Sequence, residues 1–161
     1  MRIALKKAKE IYVKYGNNLS FICREFGLNI IEGDLEGRLK EVYFGDSIFV
    51  KKSLKKAEKQ ELIAHAIGHH LMHAGNHLSQ QKKIYSFGNY HERQANAFAA
   101  YLLISEEKLE GKLFDGVRAD ELAEYFEVTE KLMAYRLKIQ AHFELSKKEY
   151  KSSQKVVTQL S

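Results

Sequence analysis

Two histidines four residues apart, His65 and His69, stand in the stretch LIAHAIGHHLMHAGN, residues 62–76. A helix places positions i and i+4 on one face, a turn apart. The two imidazoles can then converge on one metal ion at ~2.0–2.1 Å. His69/His73 and His73/His77 repeat the spacing, but Gly75 reads as the end of the helix and leaves the last pair weakest. The first pair has apolar neighbours in Leu62, Ile63, Ala64, Ala66 and Ile67, as a buried site requires. Gly68 in mid-helix costs ~1 kcal/mol against alanine. A close-packed neighbour or a substrate channel would explain it. The spacing alone fits a helix with surface histidines equally well.

A catalytic zinc site takes three protein ligands and leaves a fourth position open for water. The stretch HERQANAFAAYLL offers Glu92, three residues before Ala95 and in register with the apolar stripe Ala95, Phe98, Ala99 and Leu102. A carboxylate at the start of a core-facing helix is costly unless it is paired or metal-bound. The plainer reading is a solvated first-turn glutamate favoured by the helix dipole. His91 competes with Glu92 as a ligand. Tyr85, Tyr90 and His91 are candidates for the donor that stabilises an oxyanion. His73, one turn beyond His69, is a candidate supporting group, and packing or surface roles are the alternatives for all four. His70 and His77 read as supporting or surface groups.

These residues need elements to carry them. Apolar positions at helical spacing predict helices over 2–15, ended by Gly16, and over 19–26, capped by Asn18 and stopped by Gly27. Three short strands are predicted near 28–32, 38–44 and 47–51, with Gly45–Asp46 as a hairpin turn. A helix over 54–74 carries the histidines, a loop spans about 75–88, and a helix over 90–104 carries Glu92. Helices at 105–110, 119–126 and 129–144 close the pattern. The expected fold is α+β and mainly helical, with a small three-stranded antiparallel or mixed sheet. Residues 1–110 form the expected core, 111–146 a helical segment packed on it, and 147–161 a frayed polar tail. The strand containing Ile48, Phe49 and Val50 is expected at a sheet edge beside the site, able to bind an extended peptide by strand addition.

The composition bounds the partners. The chain of 161 residues carries a net charge of +5, which permits an acidic partner without demanding nucleic acid. The run KKSLKKAEKQE, residues 51–61, is either a solvated helix face or a docking surface for such a partner. The single cysteine, Cys23, excludes an intrachain disulfide, suits a reducing cytosol and reads as a buried thiol. No stretch approaches the ~20 apolar residues of a membrane span, and the basic N-terminus lacks the apolar run and cleavage site of a secretion signal. A cytoplasmic location follows as an expectation.

LIAHAIGHHLMH followed by HERQANAFAAYLLIS resembles the ImmA/IrrE family of metallopeptidases. That family shows a histidine-glutamate-x-glycine-histidine helix and then a helix of the form Glu-x-x-Ala-Asn-x-Phe-Ala-Ala-x-Leu-Leu. The resemblance implies that His65, His69 and Glu92 are metal ligands. It implies that Gly68, His73, Ala95, Asn96, Phe98, Ala99, Ala100, Leu102 and Leu103 belong to the framework. It extends over roughly residues 1–145 and implies a zincin-like core. It also implies a Zn2+ cofactor, with Mn2+ less suited to the donor set, and a helix-turn-helix-like segment at 119–144. Members of the family include site-specific proteases that cut helix-turn-helix repressors for phages, mobile elements and stress responses. A DNA-binding regulator using 119–144 is the alternative reading. Against it, the second helix there offers only Lys131, Arg136 and Lys138 as cations, opposed by Glu130 and Glu144.

The chain departs from the family pattern at Ser105, where a proline is usual, and at Ala66, the place of the catalytic glutamate. That glutamate takes the proton of the attacking water and later gives it to the leaving amine, help worth ~10²–10⁴ in rate. Alanine does neither, so a chain with Ala66 is expected to keep its metal and cut slowly or not at all. A natural pseudoenzyme would have no need of a metal triad. The retained ligands therefore favour a glutamate replaced on purpose, with the pseudoenzyme as the alternative.

Overall fold

The structure is a computed structural model that describes residues 2–73 and 90–142. The elements run α1 (Arg2–Tyr15), α2 (Leu19–Glu25), β1 (Asn29–Gly33), β2 (Glu41–Phe44), β3 (Ser47–Lys51), α3 (Lys56–His73), α4 (Tyr90–Leu103), α5 (Glu106–Phe114) and α6 (Ala119–Tyr125). The helical residues 130–142 form α7. The architecture is α+β and mainly helical, as the periodicity predicts. The expected loop 75–88 and the expected tail 147–161 lie outside the described residues.

Local chemistry explains most boundaries. Asn18 caps α2, its side chain accepting from the Phe21 N–H at 3.0 Å. Gly27 follows the helix at φ +67°, a left-handed conformation that glycine adopts without strain. The β2–β3 hairpin turns on Gly45–Asp46, with Gly45 at φ +62° in the first central position, the pattern of a type II′ turn. Helix α5 is longer than expected, because Gly111 continues it to Phe114 instead of ending it at 110.

The sheet has the order β1-β3-β2. β3 pairs with β2 antiparallel, Glu41 opposite Val50 and Phe44 opposite Ser47, and with β1 parallel, Ile30 opposite Ile48. This corrects the expectation that Ile48, Phe49 and Val50 form a sheet edge. β3 is the central strand, and Ile48 and Val50 are fully buried as core residues. The hairpin turn lies between β2 and β3, and the parallel pairing with β1 then covers the far side of β3. β1 and β2 are the edge strands, and Tyr43 of β2 reaches the histidine helix at His70.

Helix α4 is the axis of the core, with α3 packed on one flank and α1 on another. Its small residues Ala95, Ala97, Ala99 and Ala100 are buried and let the neighbouring backbones approach closely. Ala4, Ala8 and Ile11 form the matching face of α1. Leu122, Ala123, Leu132, Met133 and Ile139 from α6 and α7 join the same core cluster. Glu61 on α3 fastens the start of α7, accepting from the Thr129 N–H at 2.5 Å and the Thr129 hydroxyl at 3.0 Å. Among the described residues no helix is long and apolar enough to cross a membrane.

Candidate metal centre

Helices α3 and α4 bring their chemistry together because Gly68 allows it. A Cβ on Gly68 would stand 3.0 Å from Phe98 Cδ1 and 3.2 Å from the Ala95 Cα. The close-packed neighbour is the explanation of this glycine. The contact lies beside the two histidines of α3 and one turn along α4 from Glu92.

His65, His69 and Glu92 offer one ligand atom each within 4.8 Å of one another. The Nε2 atoms of His65 and His69 are 3.0 Å apart. Glu92 Oε2 lies 3.3 Å from His65 Nε2 and Oε1 lies 3.2 Å from His69 Nε2. Ligand atoms bonded at ~2.0–2.1 Å in a tetrahedron are separated by about 3.3 Å. The three side chains therefore already stand at the edge lengths that one tetrahedral ion requires. Two imidazoles and a carboxylate are also the donor set that zinc takes, so the residues fit the group.

The electrostatics agree with a shared centre. Burial works against a charged Glu92, but hydrogen bonds from His65 and His69 bring its carboxyl down to about 2. Burial opposes protonation of His65, yet the hydrogen bond with Glu92, the charges of Glu41 and Glu92 and a side-chain hydrogen bond with Asn96 together raise it. Asn96, one turn after Glu92, thus orients the His65 ring.

The other expected residues divide. Ala66 is fully buried within the core cluster. His73 continues the ladder, its ring 5.6 Å from that of His69, and stacks on His91 at 4.2 Å with 24° between the planes. Burial, then the charges of His91 and His69, push the His73 imidazole down to about 4, so it is neutral over the physiological range. Tyr90 is half exposed, and its hydroxyl accepts from Gln94 at 2.9 Å. Tyr85 and His77 lie outside the described residues. His70 Nδ1 lies 2.8 Å from the Tyr43 hydroxyl.

Glu41 escapes the sequence reading altogether. It is partly buried on β2. Burial, opposed by His65 and reinforced by Glu92, pushes its carboxyl up to about 7. The only sequence signal was the alternation that puts Glu41 and Tyr43 on one face of a strand. Nothing local says that this face meets α3.

A mainly helical α+β core that converges an HxxxH pair and a glutamate from the next helix on one point defines a metallopeptidase-type centre. The sequence profile of the IrrE N-terminal-like domain, peptidase family M78, matches residues 23–138, and the chain belongs to that family. Among solved structures, a Mycobacterium tuberculosis transcriptional regulator has the same fold, with a TM-score of 0.67 at 19% identity over 85% of this chain. The chain matches 56% of that protein's length. A search of curated proteins finds no match.

Proposed function

We propose that this protein is a zinc-dependent endopeptidase of the anti-repressor type, directed at a helix-turn-helix transcriptional repressor, and that Ala66 leaves it severely impaired in hydrolysis. The convergence of His65, His69 and Glu92 at tetrahedral spacing is the observation that carries the reading. Residues 1–110 are the peptidase core in this reading, and 111–146 a helical segment on it. The ion would be held by both Nε2 atoms and the Glu92 carboxylate, with Asn96 steadying His65. Zinc supplies an acidified water and a polarised carbonyl when bound.

The β2 edge would hold the substrate as an extended strand. The Lys51 N–H donates to the Lys40 carbonyl at 2.9 Å, which makes Lys40–Lys51 a hydrogen-bonded pair of the hairpin. Alternation then points the main-chain groups of Val42 and Phe44 inward to β3 and those of Glu41 and Tyr43 outward. A peptide laid there would pass directly beside the centre. This replaces the strand of Ile48, Phe49 and Val50 in that role.

The second reading is a protein that binds metal and a regulatory partner without cutting it. It is favoured by Ala66 itself, whose methyl group can neither take nor give a proton. A DNA-binding role for 119–144 is weakened because Arg136, one of its three cations, is fully buried. The test is Ala66→Glu, loaded with zinc and coexpressed with the repressor encoded beside its gene. Chelator-sensitive cleavage of that repressor supports the peptidase. An intact repressor in a stable complex with the folded, zinc-loaded variant supports the non-cleaving partner.

A further inference from the structure

The centre lacks the proton acceptor that its family carries at position 66, yet a carboxylate stands beside it on another element. β2 is tethered to α3 twice, by the residue before it and by Tyr43. Lys40 Nζ meets Glu58 Oε1 at 2.8 Å, and the Tyr43 hydroxyl meets His70 Nδ1 at 2.8 Å. Glu41 lies between the strand anchors, and His65 lies between the helix anchors. From Glu41 to Tyr43 the strand advances about 6.8 Å. From His65 to His70 the helix advances about 7.5 Å. Strand and helix run in the same direction, so Glu41 stands level with His65. Its side chain shares the face of Tyr43, the face turned to α3.

The charge of Glu41 is felt by His65, and the charges of His65 and Glu92 by Glu41. Glu41 is nevertheless absent from the set of ligand atoms that lie within 4.8 Å of one another. It is beside the coordination sphere and outside it. A ligand would be inside; a solvated surface carboxylate would feel neither group. This is the place of a group that handles the proton of a water held at the centre.

We propose that Glu41 is the acid–base carboxylate of this chain, taking from strand β2 the part that position 66 takes from the helix in its relatives. The inference rests on the peptidase reading of the centre. Glu41 accepts one proton of the attacking water as the water oxygen bonds to the carbonyl carbon. It then delivers that proton to the amide nitrogen as the C–N bond breaks, leaving an acid and an amine. The outward main chain of Glu41 would hold the same peptide that its side chain serves. Glu41 then supplies the acid–base help that remains to a chain in which Ala66 stands in place of the glutamate.

The test uses the full chain and two probes. Cobalt(II) replaces zinc, and its visible absorption is followed from pH 5 to 9 in the native chain and in Glu41→Gln, Glu41→Asp and Glu32→Gln. Glu32, exposed on β1 beside Lys59, is the control. The native chain and Glu32→Gln are expected to share one inflection, shifted by about one pH unit or abolished in Glu41→Gln and largely retained in Glu41→Asp. Cobalt affinity should be equal within about threefold, because Glu41 is outside the ligand set. The zinc-loaded chain should hydrolyse 4-nitrophenyl acetate with kcat/KM at least about tenfold above Glu41→Gln.

Superimposable pH profiles in the native chain and Glu41→Gln overturn the assignment. A hundredfold loss of cobalt affinity in Glu41→Gln overturns it too, by making Glu41 a ligand. Equal esterase rates in both chains do the same. Failure of the native chain to bind cobalt sinks the centre itself.

Discussion

His65 and Glu92 hold one another's charge in the metal-free protein, and zinc must displace that arrangement. The raised His65 means that the free centre keeps its proton at a higher pH than an ordinary imidazole, ~6.5. Ligation requires the neutral ring, so binding expels the proton. Zinc affinity should therefore weaken as pH falls through the raised His65 value, approaching about tenfold per pH unit for the one proton displaced. Calorimetric titration in buffers of different ionisation heat counts that proton, and a pH-independent affinity between 5 and 8 would contradict the arrangement. His65→Ala and Glu92→Ala should each abolish stoichiometric zinc, read by elemental analysis, and Ala66→Glu should retain it because position 66 is not a ligand. The cluster of His65, His69 and Glu92 was legible in the sequence through the family resemblance, since spacing fixed the helix faces but left surface histidines equally open. Asn96 was legible only as framework, since its bond to His65 crosses between helices. Glu41 was illegible, because its neighbour is 24 residues away and the strand that carries it is four residues long.

At the scale of elements, the approach of α3 to α4 sets the distance between the ligands. Gly68→Ala would gain about 1 kcal/mol in helix propensity. The new Cβ would meet Phe98 Cδ1 at 3.0 Å and the Ala95 backbone at 3.2 Å. The phenyl ring can turn aside, but the Ala95 Cα moves only with α4 itself. Overpacking of that kind costs ~1–3 kcal/mol. The net loss should be about 1 kcal/mol, a fall in Tm of about 2–4 °C, with weaker zinc binding because the ligand helices are pushed apart. A Tm at or above that of the native chain would show that the interface yields. The same elements explain what the sequence could and could not tell. The hairpin was readable from Gly45–Asp46, which is local. The strand order was not, because the parallel pairing of Ile30 with Ile48 is decided by packing across 18 residues. One misplaced neighbour turned a central strand into a supposed edge. A proline at Ile48 or Val50 would break the sheet and say nothing about substrate.

For the whole molecule, Arg136 asks why a fully buried cation closes the C-terminal half onto the core. Its guanidinium lies 4.4 Å from the Tyr101 ring centroid and donates from Nη1 to Gln140 Oε1 at 2.8 Å. Among the described residues, buried Nε and Nη2 meet no hydrogen-bond partner, nor do the Tyr101 hydroxyl and Ser105 Oγ. Burial lowers the guanidinium pKa, against the support of Tyr101, Glu106 and Glu110, and the group stays charged. A buried charge with unmet donors does not stabilise the fold by its charge; its contribution is the bulk packed between α4 and α7. Arg136→Met keeps most of that bulk and removes the desolvation cost. It should be neutral or more stable by ~1–4 kcal/mol. Arg136→Lys keeps the charge and gives up the planar fork and the stacked contact, so it should be the less stable of the two variants. Urea unfolding of the zinc-loaded proteins orders them. A Met variant below the Lys variant would mean that the guanidinium makes bonds the core depends on. Since Arg136 has no exposed surface, heparin retention should be the same in Arg136→Met as in the native chain. The exposed Lys131 and Lys138 should set it instead. Unchanged retention would leave α7 as a structural clasp, with the partner-facing chemistry on the α3–β2 side of the molecule.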